Sequence, residues 1–229
     1  MRRIIRLAGV VCVAVAAMGF AVVSSAGAFS SNPLFSKESV GATLTLGSGG
    51  PSTLSGAGLI VVCKENHGLG GTVSNELLVG GGVIHYLGCE YTKGEAESGC
   101  PAKSTNTTGE GLIITTTLHA ILGLLLPQNT TGVLILPIAS KTFTTLATAE
   151  KNGKKCGPEA QVAGNVTAEI EPVGKPSVNG TIKVVSKEIQ EIDLTHGLGL
   201  AKAKLTLFGE GVVLTTTGEG MSSKAVEVT

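Results

Sequence analysis

Tryptophan is absent from this chain of 229 residues, and tyrosine occurs only twice, at Tyr86 and Tyr91. Surfaces that stack bases or sugar rings rely on aromatic platforms, so nucleic-acid and carbohydrate recognition lose their usual means. Aspartate is scarcer still: Asp193 is the only one, and Asp193-x-x-His196 is the only Asp–His proximity. A Ser–His–Asp triad would have to use that pair. There is no Gly-x-Ser-x-Gly elbow, no Walker loop and no Gly-x-Gly-x-x-Gly run despite 33 glycines, which read instead as turns and bulges. Nothing catalytic and no cofactor site is therefore expected.

Arginine is confined to Arg2, Arg3 and Arg6, and these open a three-part leader. After them Leu7 to Val23 is an uncharged run rich in Ala and Val, and Ala26-Gly27-Ala28 offers the small residues that a signal peptidase reads. The expectation is a signal peptide over 1–28, a leader and first strand over 29–56, and one β domain over 57–229. Cys12 lies inside the apolar run, so it does not fit a lipid-accepting cysteine, and no stable membrane anchor is expected. Without the three arginines, 14 of the 17 basic residues remain against 17 acidic ones, a net charge of about −3. That balance also speaks against nucleic acid as a partner.

Four cysteines remain beyond the leader: Cys63, Cys89, Cys100 and Cys156. An even number in an exported chain favours disulfides, and four cysteines permit three connectivities. Cys89 with Cys100 across the polar Glu90–Gly99 loop, and Cys63 with Cys156, is the preferred pairing, because a short loop is the easiest to close. A rival reading takes Cys63-x3-His67 and His85-x3-Cys89 as a zinc set. Residues four apart on a strand are separated by about 13 Å at roughly 3.3 Å per residue, so they cannot share an ion unless both pairs sit on tight turns. No metal site is assigned.

Short runs rich in Val, Ile and Thr follow one another, separated by Gly, Asn, Pro and Lys. Strands are expected near 41–46, 57–63, 72–79, 82–90, 111–118, 132–138, 141–147, 160–170, 180–187, 203–208, 211–217 and 224–229. Alternation in Thr181-Ile182-Lys183-Val184 and in Lys204-Leu205-Thr206-Leu207 marks sheets with one solvated face. The fold expected is all-β, an antiparallel sandwich or barrel of about ten to twelve short strands. Leu118–Leu126 is apolar throughout, and periodicity does not decide between a buried strand and a short helix.

The residues Gly88-Cys89, Cys100, the Gly109-Glu110-Gly111-Leu112-Ile113-Ile114-Thr115 run with Leu118, and Phe143 followed by Cys156 carry a resemblance. From Cys63 to about Glu171 the chain is similar to small exported cysteine-containing β proteins of unknown function found in soil actinobacteria. The resemblance implies export and a β fold, and no activity.

Of the histidines, His67 between Asn66 and Gly68 reads as an exposed turn residue, His85 as a strand residue and His119 as a core residue. Glu95 with Glu97 and Glu169 with Glu171 would each share a strand face, where solvated charge is the plain reading against glycoside cleavage. By elimination the expected role is structural or adhesive, in a secreted or cell-envelope domain. The alternative is a binding module for a small apolar ligand, with Leu118–Leu126 and Val133–Ile138 lining a cavity; a secreted hydrolase stands third. An open apolar cavity would favour the ligand, and Asp193 and His196 converging on a hydroxyl would favour the hydrolase.

Overall fold

A computed structural model describes residues 33–47, 49–93, 96–186, 189–194 and 198–229. The expected signal peptide lies outside these residues. The described chain from Phe35 onward belongs to one unit, is all-β and antiparallel, and contains no α-helix, only a 3-10 turn at Lys37–Ser39. Twenty strands form where about twelve were expected. In order they are β1 (Thr43–Gly47), β2 (Ser52–Gly56), β3 (Leu59–Cys63), β4 (Glu65–Val73), β5 (Leu78–Leu87), β6 (Glu90–Lys93) and β7 (Cys100–Pro101). Next come β8 (Leu112–Ile114), β9 (Leu118–Leu125), β10 (Thr130–Pro137), β11 (Thr142–Leu146), β12 (Ala149–Lys151) and β13 (Lys154–Gly157). The last are β14 (Ala160–Gly164), β15 (Val166–Glu171), β16 (Ser177–Val185), β17 (Gln190–Leu194), β18 (Gly199–Ala203), β19 (Leu205–Leu207) and β20 (Glu210–Val226).

Eight of these strands close on themselves. Starting from β20, the pairs β20–β1, β1–β4, β4–β5, β5–β9, β9–β10, β10–β15, β15–β16 and β16–β20 are all antiparallel and return to the starting strand. The molecule is therefore a barrel, and closure leaves this ring without an edge. Inward positions alternate along each strand as a period of two requires. Leu44 and Leu46 on β1, Leu118, Ala120 and Leu122 on β9, Val133 and Ile135 on β10, and Ile182 and Val184 on β16 belong to or pack on the core. Between β15 and β16 the outer wall is polar: Glu169 stands opposite Lys183, and Glu171 opposite Thr181.

The first half of β20 leaves the barrel and enters a second lobe. There the order β11–β14–β19–β20–β2–β3–β6–β7 surrounds Val61, Phe143, Leu146, Val162, Leu205 and Leu214. Three of its hairpins turn on two residues with positive φ: Ala57-Gly58, Asn152-Gly153 and Phe208-Gly209. Two consecutive left-handed residues match the twist of the flanking strands, and a glycine in the second place avoids the Cβ clash.

The apolar run Leu118–Leu126 resolves as strand β9, and the reason it is apolar on both faces is now visible. Its inner face lines the barrel, while Ile121 and Leu125 point outward with Leu134 and Leu136 of β10. The β17–β18 hairpin covers that outer patch with Ile192, Leu194, Ala201 and Ala203. Strands buried on both faces read as continuous apolar runs. Gly123 makes the close approach possible, since a Cβ there would lie 2.6 Å from the Asp193 carbonyl oxygen.

Candidate functional site

All four cysteines are oxidised, but the expected pairing is wrong. Cys63 bonds Cys89, with α-carbons 3.9 Å apart, and Cys100 bonds Cys156, with α-carbons 5.8 Å apart. Strands β3 and β6 pair Val62 with Glu90, which sets Cys63 directly opposite Cys89. The Cys89 backbone bonds Gly111 and Ala102 instead of Cys63, so the two cysteines form a close, non-hydrogen-bonded pair. The loop expected to be clipped does exist, as the β6–β7 hairpin. Its register places Tyr91, not Cys89, opposite Cys100. Cys89 and Cys100 are thus diagonal neighbours, a relation with a spacing of about 7–8 Å, beyond what a disulfide spans.

The symmetric Cys-His-His-Cys set has the same origin. His67 is no turn residue: it stands in β4 directly opposite His85 in β5, on the outer wall, with Nε2 3.5 Å from Glu65 Oε2. The sulfurs are bonded to each other and cannot serve as thiolate ligands. Among the described residues no group of three His, Cys, Asp or Glu could hold a metal ion. His196 and Glu95 lie outside the described residues, so the Asp193–His196 pair is not brought to geometry here. Asp193 itself faces Leu200 and Leu124 across β17. Glu169 and Glu171 do share one strand face, the outer one.

What the barrel encloses is a cavity of about 190 Å³. Its walls are apolar, built by Leu44, Leu46, Val79, Leu118, Ala120, Val133, Ile135, Ile182 and Val184. Gly68, Gly71, Gly82, Gly180, Gly218 and Gly220 lie along the wall in the middle of strands, not in turns. Gly220 leaves room, whereas at Gly68, Gly71 and Gly180 a Cβ would lie 2.6–2.7 Å from a neighbour, so the missing side chain allows close packing. One end is stoppered by the segment at Leu34–Phe35 together with Val228 and Thr229. Phe35 bridges Val228, Leu34 and Thr229 exchange backbone hydrogen bonds, and both Phe35 and Val228 line the space. Beside that stopper, the lining residues Pro172, Val178 and Met221 are exposed and mark the mouth.

The opposite end carries two buried polar residues, Asn66 and Thr216. Asn66 is 2 % exposed. Its Nδ2 donates to Gly50 O at 3.1 Å, Thr217 O at 3.1 Å and Ser52 Oγ at 3.2 Å. Ser52 Oγ lies 2.5 Å from Thr216 Oγ1. This knot joins β2, β4 and β20 where the barrel meets the second lobe. Beyond it the second lobe is filled, with a gap of only about 30 Å³ beside Tyr86.

Tyr86 is buried there, and its hydroxyl has no hydrogen-bond partner among the described residues. Burial raises its phenol far above the ordinary range, and burial likewise pushes Tyr91 up to about 12. Both folded values lie above the unfolded value near 10, so this contribution to stability is present below that pH and lost above it. An unpaired buried hydroxyl costs about 1–3 kcal/mol. Tyr86→Phe is therefore expected to leave stability unchanged or raise it by about 1 kcal/mol in denaturant unfolding. A loss of that size would mean that a bound water satisfies the hydroxyl.

The fold and site thus define a closed eight-stranded antiparallel barrel with a hollow apolar interior. Compared with protein-family models, curated proteins and solved structures, the chain finds no match.

Proposed function

We propose that the barrel binds a small, neutral, apolar molecule. The observation that carries this reading is the apolar cavity of about 190 Å³ inside a closed barrel. Eight-stranded barrels either fill their interior with side chains or hold one small ligand, and this one gives up side chains at inward glycines. For scale, an apolar cavity of about 150 Å³ takes up benzene. Sequence alone favoured a structural or adhesive role by elimination, and the unfilled interior shifts the preference to the ligand. The two disulfides are consistent with an extracellular place of action.

The test is a titration with toluene, followed through the methyl signals of Leu44, Leu118 and Val133. Saturable shifts confined to these walls are expected. Ala120→Leu adds three carbons from β9 into the space and should weaken binding at least about tenfold, with the melting temperature little changed, because it fills a void instead of overpacking. Unchanged affinity in Ala120→Leu, or no saturable shift at all, would remove the ligand reading and return the structural role to first place.

A further inference from the structure

We propose that the preferred ligand carries a single hydrogen-bond donor, received by Asn66 Oδ1 at the closed end of the cavity, which makes it a compact phenol-like or indole-like molecule. This rests on the ligand reading above and refines it. The orientation of the Asn66 amide is settled by its neighbours: two of the three atoms around Nδ2 are backbone carbonyls, which only accept. Nδ2 is therefore the buried donor, and Oδ1 is left on the other side of the amide plane. That side is the cavity, since a Cβ placed on the lining residue Gly218 would lie 3.5 Å from Oδ1. Oδ1 has no protein partner among the described residues.

Oδ1 is open to the cavity space instead of sealed among side chains, and the hydroxyl at this end, Thr216 Oγ1, is paired with Ser52 Oγ. Leu46 packs beside Oδ1, and Gly218 has no side chain. A hydroxyl or N–H on the ligand would complete it. The size and charge of the cavity narrow the class further. About 190 Å³ suits a single ring or a small fused pair. No Lys or Arg is among the lining residues, so the cavity offers an anionic head group no permanent positive charge.

Asn66 also ties three strands together, so replacing it would confound folding with binding. The chemistry is better varied on the ligand. Phenol and toluene have nearly the same shape and differ in one donor. A hydroxyl costs about two- to thirty-fold in affinity on entering surroundings that receive its hydrogen bond, and about a thousandfold or more where none do. Both should be titrated into the intact chain with carbon-13 detection of the Asn66 side-chain carbonyl. The expected result is phenol within a hundredfold of toluene and an Asn66 carbonyl shift with phenol alone. Phenol weaker by more than a hundredfold, or no shift that distinguishes the two ligands, would overturn the donor inference while leaving the apolar site intact. If neither ligand binds, the ligand reading itself fails, and this inference with it.

Discussion

Replacing Cys100 and Cys156 together by alanine is expected to lower the free energy of unfolding by about 4 kcal/mol. The bridge closes a loop with a sequence separation of 56 residues, and the chain-entropy relation gives about 4 kcal/mol for a loop of that length. The corresponding double replacement at Cys63 and Cys89, with a separation of 26, should cost about 3.5 kcal/mol on the same relation. The two bridges do different work in the structure. Cys63–Cys89 joins strands already held by the β3–β6 ladder. Cys100–Cys156 joins β7 to the β12–β13 hairpin, a two-stranded sheet with no ladder of its own to the rest of the fold. Its loss should therefore also release that hairpin, seen as faster amide exchange at 149–157. Denaturant unfolding of the two double variants decides the ranking. A smaller loss for Cys100 and Cys156 than for Cys63 and Cys89 would contradict it, and non-reducing peptide mapping checks the pairing directly.

The correct pairing was in fact written in the sequence. Cys63 with Cys89 and His67 with His85 are both centred on Glu76, which lies in the turn between β4 and β5. Such mirror spacing is what an antiparallel register produces, and one register runs through both pairs from β3–β6 into β4–β5. The spacing therefore reports register, not zinc geometry. Loop length then carried the choice, although a short loop brings together strands, not particular residues. Asn152-Gly153 was a second legible sign, a strong two-residue hairpin signal, and the β12–β13 hairpin it makes went unread.

Other features were not legible for physical reasons. The run over 118–126 is apolar on both faces because two different layers bury it, and periodicity vanishes when both faces are covered. Barrel closure rests on β1 meeting both β4 and β20, contacts far apart in sequence that no local pattern reports. The cavity is hidden for a related reason. Gly68, Gly71, Gly218 and Gly220 look like turn punctuation, yet each stands inside a strand. At Gly68 a Cβ would lie 2.7 Å from Leu46, so that glycine lets β1 lie close, whereas at Gly220 the nearest atom is 3.5 Å away and the missing side chain leaves room. The same residue type serves contact in one place and emptiness in another, and only the register separates them. Asn66 sits beside the more reactive His67, and only the register shows that Asn66 takes the inward face, where an amide is costly to bury.

Gly164→Ala should be among the most damaging single substitutions in the molecule, with an expected cost of about 2–5 kcal/mol. Gly164 ends β14 in the second lobe, and Asn165 leads into β15 of the barrel, so the chain changes lobes here. Three hydrogen bonds hold the crossing: Gly164 N to Lys141 O, Asn165 N to Lys204 O, and Lys204 N to Asn165 Oδ1. Two costs arise together. The backbone sits at φ +113°, where a side chain costs about 1–2 kcal/mol. A Cβ would also lie 2.0 Å from the Lys204 carbonyl oxygen, the backbone atom that accepts from Asn165 N, and overpacking of this kind adds about 1–3 kcal/mol. Gly209 provides the control. It too has positive φ, at +85°, but nothing lies within 4 Å of its Cβ position. Gly209→Ala should thus show the backbone cost alone, about 1–2 kcal/mol. Comparing the two by denaturant unfolding separates conformation from contact. Equal losses would mean that the β14–β15 crossing yields without resistance and that the two lobes are not locked at this point.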